Sequence, residues 1–262
     1  MTSTPVVYTK AGPQAGAILR SMVALMRQGG VNLPVLPEQE VVLSVSAGVD
    51  SMVMADLLLR LGRRILPHHS RVTVLHLDHG WRPESADQER DLVQDHCLNR
   101  WGGVRFESIR LSSPQEGRLQ GEKGVSPEAY SRSKRLEVYD RFLSQGAWVW
   151  TAHHLDDQAE TLFWRFLRGE WDSHGEGIYP VYARGSGQMI RPLLGVWKSQ
   201  LRECAIEEGL SWLEDPTNHE GDLMRTQLRQ KVFPELERVF PGFKRRLVRY
   251  ASVCGAKNSS RL

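Results

Sequence analysis

From Glu40 to about Gly169, short apolar, β-branched runs alternate with longer stretches of helical periodicity. The run "EVVLSVS" predicts a strand ending in small residues. "DSMVMADLLLRLG" behind it predicts a helix stopped by Gly62. "RVTVLHLD" predicts a second strand, and "ESADQERDLVQDHCLNRW" a second helix with carboxylates in its first turn. "VRFESIRL" predicts a third strand. "SPEAYSRSKRLEVYDRFLS" predicts a helix whose cap Ser126 is followed by a first-turn proline. "AWVWTAHH" predicts a fourth strand, and "DDQAETLFWRFLRG" the helix after it.

Strands alternating with helices imply right-handed βαβ units. The expected fold is therefore α/β, an open parallel sheet with helices on both faces, followed by a small helical C-terminal part. Three segments are expected: an N-terminal extension over 1–38, a sheet domain over 39–195, and a helical segment over 196–262. In the extension, Gln14 to Arg27 predicts a short helix packed outside the sheet domain. Residues 112–125 and the glycine-rich 170–188 are read as loops.

Composition adds limits. The 262 residues are 40% hydrophobic and 25% charged, which excludes a disordered, collagen-like or coiled-coil chain. The formal charge of +3 permits a polyanionic partner without demanding one. Cys97, Cys204 and Cys254 lie far apart, so a zinc ribbon or a cysteine-held cluster is not expected. No apolar run reaches the ~18 residues of a membrane span. Arg20 interrupts the apolar stretch near the N-terminus, so no signal peptide is read. A cytoplasmic protein is expected.

The chemistry concentrates at strand ends, where open parallel sheets bind ligands. The first strand runs into Ser46, Ala47, Gly48, Val49, Asp50 and Ser51. Small residues, two hydroxyls and a following helix N-terminus suit a phosphate or pyrophosphate. Asp50 beside an anion implies a bridging cation such as Mg²⁺. The structural alternative is a plain strand–turn–helix connection with Asp50 or Ser51 as cap. The standard P-loop and the Rossmann fingerprint are both absent.

Beyond the fourth strand, Asp157 and Glu160 stand i, i+3, and Asp156 and Glu160 stand i, i+4, so they share a helix face. They could hold an ammonium or a metal, and Asp157-x-x-Glu160 could equally be a capping box. Arg132 and Arg135 stand i, i+3 with Lys134 between them, a solvated face or a phosphate contact. Lys244, Arg245, Arg246 and Arg249 form a second basic patch.

The loop "SAGVDS" resembles the SGGxDS loop of the PP-loop ATP pyrophosphatases, with Ala47 in place of a glycine. "LHLDHGWRPESADQE", "SPEAYSRSKR", "TAHHLDDQAETLFWRFLRG", "IRPLL" and "WLEDPTN…DLMRTQLRQKVFPEL" resemble, in order, motifs of the tRNA(Ile)-lysidine synthetases. The likeness covers roughly 40–245.

The resemblance implies ATP as substrate, with Mg²⁺, and adenylation of the wobble cytidine in the CAU anticodon loop of tRNA(Ile). Free lysine then displaces AMP. It implies ATP contacts from Ser46 to Ser51 and from His76, Asp78, His79 and Gly80, with Mg²⁺ on Asp50. It implies a lysine site at Asp157 and Glu160, and phosphate or tRNA contacts at Arg132, Arg135, Arg168 and Arg225. Asp50, Arg132, Asp157 and Glu160 would form the catalytic group.

Departures bear on tRNA more than on ATP. Glu170-Trp171-Asp172 replaces the usual Gly-Ser-Gly and Thr226 replaces Asn, and no counterpart of the C-terminal domains of longer members is expected within these 262 residues. Three other readings stay open: a PP-loop enzyme acting on another nucleoside or small molecule, a metal-dependent hydrolase using His153, His154, Asp156 and Asp157, and a non-catalytic RNA-binding relative.

Overall fold

The computed structural model describes residues 11–67, 69, 71–79, 83–113, 126–170, 177–214 and 226–250. In chain order the elements are α1 (Pro13–Gln28), β1 (Val41–Ser44), α2 (Val49–Asp56), β2 (Val72–Asp78) and α3 (Pro83–Asp95). They continue as β3 (Arg105–Arg110), α4 (Pro127–Leu143), β4 (Trp148–Trp150), α5 (Leu155–Leu167) and β5 (Val181–Arg184). Last come β6 (Gly187–Ile190), α6 (Lys198–Glu207) and α7 (Phe233–Val239). Residues 243–250 are also helical.

The strands form one sheet in the order β3-β2-β1-β4-β6-β5. All neighbours are parallel except the edge pair β5–β6. Alternate side chains feed two cores, as the two-residue repeat of a strand requires. Val41, Leu43, Val72, Val74, Trp150 and Ile190 face one layer. Val42, Leu75, Leu77, Val149 and Met189 face the other, under Val138, Tyr139 and Leu143 of α4.

Two differences from the sequence expectation have local causes. Residues 170–188 contain strand β5 and the start of β6, so the sheet carries an antiparallel edge. The glycines that suggested a loop make the hairpin: Gly185 has φ +60°, and a Cβ on Gly187 would lie 2.1 Å from the Ala147 carbonyl. Helix α1 does not pack outside the sheet domain. Its i, i+3, i+4 stripe of Ala15, Ile18, Met22 and Met26 is buried in the same core as β1 and α2. Each larger side chain of that stripe contributes about 1.5–3 kcal/mol of burial before its entropy cost. Gln14 Nε2 also donates to Glu203 of α6 at 2.9 Å.

Helix α2 runs on through a wide turn, Leu57–Leu61, to Gly62. There a Cβ would meet the Leu57 carbonyl at 2.8 Å, which explains the glycine at the stop. Among the described residues no helix is long and apolar enough to cross a membrane.

Candidate active site

Connections leaving β1 go to β2 on one side, and β4 lies on the other, so the switch point falls between β1 and β4. Loops leaving the carboxyl ends of those two strands meet there. One is Ser46–Ser51, the other Thr151–His154. A cavity of about 370 Å³ opens between them, and its wall includes Ser46, Gly48, Asp50, Ser51 and Asp157.

The first loop is held by Ser51. Its hydroxyl accepts from the Ser46 amide at 3.1 Å and lies 2.5 Å from the Ser46 carbonyl and 3.0 Å from that of Gly48. Neither Ser51 nor Asp50 caps α2. The cap is Gly48, in extended conformation and without a side-chain bond. A Cβ on Gly48 would meet only Ser46 Oγ, at 3.5 Å, so the protein's own packing does not demand glycine there. The bare backbone leaves room for an incoming group next to helix amides that have no intrahelical acceptor. Ala47 is buried, and no described non-glycine residue has positive φ, so alanine fits at that position without strain.

Asp50 projects from the first turn of α2. Its Oδ2 lies 3.5 Å from His154 Nε2 and 3.3 Å from Lys198 Nζ. Its Oδ1 is buried and has no hydrogen-bond partner. Burial alone would raise this carboxyl, but His154 and Lys198 outweigh it and hold it below the usual carboxylate range. One inward oxygen without a partner fits a divalent cation held mainly by phosphates and water. Among the described residues no group of three or more His, Cys, Asp and Glu is arranged to hold a metal alone.

His154 is the cap of α5. Its backbone amide donates to Asp157 Oδ2 at 2.9 Å, and the Asp157 amide approaches His154 Nδ1 at 3.4 Å. The capping box is thus His154–Asp157, one turn earlier than the Asp157–Glu160 box read from the sequence. Burial opposes a charge on His154, but Asp50, Asp157 and Asp156 raise its pKa.

Asp156 accepts from the Lys198 amide at 2.9 Å and from Lys244 Nζ at 2.5 Å. Lys244 is therefore engaged with α5 rather than offered with Arg245, Arg246 and Arg249 as an outward patch.

Glu160 departs furthest from expectation. It is buried and accepts two bonds from Arg229, at 2.8 and 2.9 Å. It lines a second, smaller cavity with Lys198, Phe233 and Lys244, whereas Asp157 lines the first. Without a ligand, the guanidinium of Arg229 is bonded to Glu160 and lies 3.8 Å from Asp157.

The second strand brings only part of its expected residues to the cavity wall. His76 is fully buried, with Nδ1 3.1 Å from the Val45 carbonyl, and it does not face the cavity. Burial lowers its pKa against that backbone contact. Leu77 and His79 line the cavity; Asp78, at the end of β2, does not. Gly80 and Arg225 lie outside the described residues.

Arg132 and Arg135 do reach the cavity wall from α4. Lys134 pairs with Glu137 at 3.2 Å. Arg168, at the C-terminal cap of α5, pairs with Glu170 at 2.8 Å. Sequence reasoning missed Lys198, Arg191 and Arg229. Arg191 and Arg229 stand within the "IRPLL" and "DLMRTQLRQ" stretches, which were the available signal.

His153 gives a pH test. Its Nδ1 lies 3.0 Å from Thr151 Oγ1. Burial, with Arg191 and Arg135 and against the pull of Asp157, pushes its pKa down to about 3. The unfolded imidazole titrates near 6.5. Between those values the unfolded chain binds the extra proton, so stability falls as pH drops from about 6.5 towards 3. A His153→Asn variant should lose less stability than wild type between pH 6.5 and 4.5 in thermal melts. Parallel curves for the two proteins would show that His153 is not held neutral by its surroundings.

Residues 19–236 match the family described as the PP-loop domain. The chain belongs to the PP-loop family. Its curated PP-loop relatives include the tRNA(Ile)-lysidine synthase of Enterococcus faecalis, 34% identical over 209 residues, 79% of this chain and 42% of that protein. Another is the tRNA(Ile)-lysidine synthase of Thermus thermophilus, 37% identical over 221 residues, 84% of this chain and 40% of that protein. The chain thus spans under half the length of these relatives. Among solved structures, the U34-tRNA thiolase NcsA of Methanococcus maripaludis superposes with a TM-score of 0.71 at 16% identity, covering 92% of this chain and 79% of that one. That likeness is one of fold.

Proposed function

We propose that the chain is the PP-loop catalytic part of a tRNA(Ile)-lysidine synthase, a tRNA-modifying ligase that works in the cytoplasm. The observation that carries this reading is the 34–37% identity to enzymes of that name across most of the chain. The geometry supports the ATP half of the chemistry.

ATP would lie with its pyrophosphate portion on Ser46–Ser51 and its adenosine towards Leu77 and His79. The C2 carbonyl oxygen of the wobble cytidine would attack the α-phosphorus, and pyrophosphate would leave. The oxygen is a poor leaving group until it carries AMP. The ε-amine of free lysine would then attack C2, and AMP would depart. A single-stranded anticodon loop can present its base without breaking pairs.

Asp50 would hold Mg²⁺ through its inward Oδ1, and the ion would neutralise phosphate charge. Lys198 and His154 would keep Asp50 ionised. Asp157 would meet the substrate ammonium and take the proton lost before attack. Glu160 would act through Arg229, by fixing the guanidinium beside Asp157. Arg132 and Arg135 would contact phosphates, with Arg168 and Arg225 as further RNA contacts.

Transfer of labelled AMP from ATP to a stem-loop bearing the CAU anticodon, without lysine, tests this reading. The adduct should form on CAU and not on a GAU control. Equal labelling of both, or AMP release without RNA, would point to another acceptor.

A further inference from the structure

We propose that Arg191, stacked on Tyr182, forms an acceptor-side subsite that holds a backbone phosphodiester of the RNA. This rests on the tRNA reading above and extends it to a site outside the loop and carboxylate motifs.

Sheet order carries the placement. Across the mouth stand, in sequence, the end of β2, the loop after β1, the loop after β4, Arg191 just beyond β6, and Tyr182 on β5. A nucleotide anchored on Ser46–Ser51 with its adenosine towards β2 fills the first half of that line. The β6–β5 half, in the same cavity, is left for the acceptor.

Arg191 is built for an anion. Its guanidinium carbon lies 4.9 Å from the centre of the Tyr182 ring, and Nη1 donates to the Tyr179 carbonyl at 2.7 Å. Its Nε is buried with no hydrogen-bond partner. A buried guanidinium donor left unpaired is costly unless a ligand completes it. Burial depresses the Arg191 pKa against the pull of Tyr182, with a smaller push from Arg132. An arriving anion would relieve that cost.

Arg132 and Arg135 line the same cavity, and His153, which also lines it, has its pKa pushed down. Arg184 is engaged with Asp140 at 2.5 and 2.7 Å. The α-carboxylate of an amino acid needs one guanidinium. Three arginines lining one cavity match the successive phosphates of a nucleic-acid strand, which position the chain while other groups read the base.

The test is equilibrium binding of a fluorescent CAU stem-loop across a salt series, for wild type, R191Q, R191K and Y182L. R191Q should bind about ten- to a hundredfold more weakly. Its slope of log affinity against log salt should shrink by about 0.7–0.9, one phosphate contact. R191K should recover most of the slope, and Y182L should weaken binding in the same direction if R191Q fails to fold. Affinity for a non-hydrolysable ATP analogue and half-saturation by lysine should not move.

Unchanged RNA affinity and slope in R191Q and Y182L would overturn the subsite. So would a selective loss of ATP-analogue binding, which would assign Arg191 to the triphosphate. A raised lysine requirement with intact RNA binding would assign it to the amino-acid carboxylate and overturn it as well. A wild-type protein that does not bind the stem-loop would overturn the tRNA reading itself, and the subsite with it.

Discussion

An Asp50→Ala variant should lose AMP formation by at least about 10²–10³-fold, the usual effect of removing one preorganised electrostatic group from a reacting centre. Its thermal midpoint should stay within a few degrees of wild type. Asp50 takes no part in a cap, and its side chain retains 22% exposure. Its attraction to His154 and Lys198 outweighs its desolvation cost only in part-exposed surroundings, so the loss of stability is small. When the carboxylate goes, His154 loses the largest contact that raises its pKa, and the Lys198 side chain, 29% exposed, reaches water. Steady-state AMP release and a melting curve on the same preparation separate chemistry from folding. Wild-type turnover in Asp50→Ala would remove Asp50 from the reacting centre. Loss of turnover together with collapse of the melt would recast it as a structural residue.

Glu160→Ala should act on stability first. Glu160 is 5% exposed and takes a two-point guanidinium bond from Arg229, so truncation leaves a cation facing a cavity wall. Breaking a fully buried pair costs about 3–5 kcal/mol. Arg229 is 39% exposed and can turn towards water, so about 2–3 kcal/mol is expected here. For a chain of this size that lowers the thermal midpoint by about 5–10 °C. Lysine use should also suffer, because Arg229 would no longer be fixed 3.8 Å from Asp157. The double variant Glu160→Ala/Arg229→Ala should be less destabilised than the sum of the two single changes. Strict additivity would show that the pair contributes nothing as a pair. An unchanged midpoint with a purely lysine-specific defect would return Glu160 to direct contact with substrate.

The main sheet was legible because each parallel strand is an apolar β-branched run and each following helix has a clear period. The Ser46–Ser51 loop was legible because small residues and an acid sit directly at a strand end. What stayed hidden was mostly long-range. Arg229 lies 69 positions from Glu160, and no local spacing announces that a guanidinium will fill the carboxylate's bonding capacity. Lys198 reaches Asp50 from the far end of the loop after β6. Alternation along β2 places His76 against the Val45 carbonyl, while its neighbour Leu77 lines the cavity, a distinction no local motif announces. The β5–β6 hairpin was lost to its own glycines, which serve the turn and a close approach to Ala147. The cap of α5 is a histidine rather than an acid, so the usual capping pattern does not announce it.

The most direct measurement is nucleoside analysis by mass of total tRNA after incubation with the purified chain, ATP, Mg²⁺ and isotopically labelled lysine. A new nucleoside equal in mass to cytidine plus lysine minus water, carrying the label and dependent on ATP, is the predicted result. AMP and pyrophosphate released without any lysine-bearing nucleoside would contradict the proposed acceptor pair while leaving the PP-loop chemistry in place.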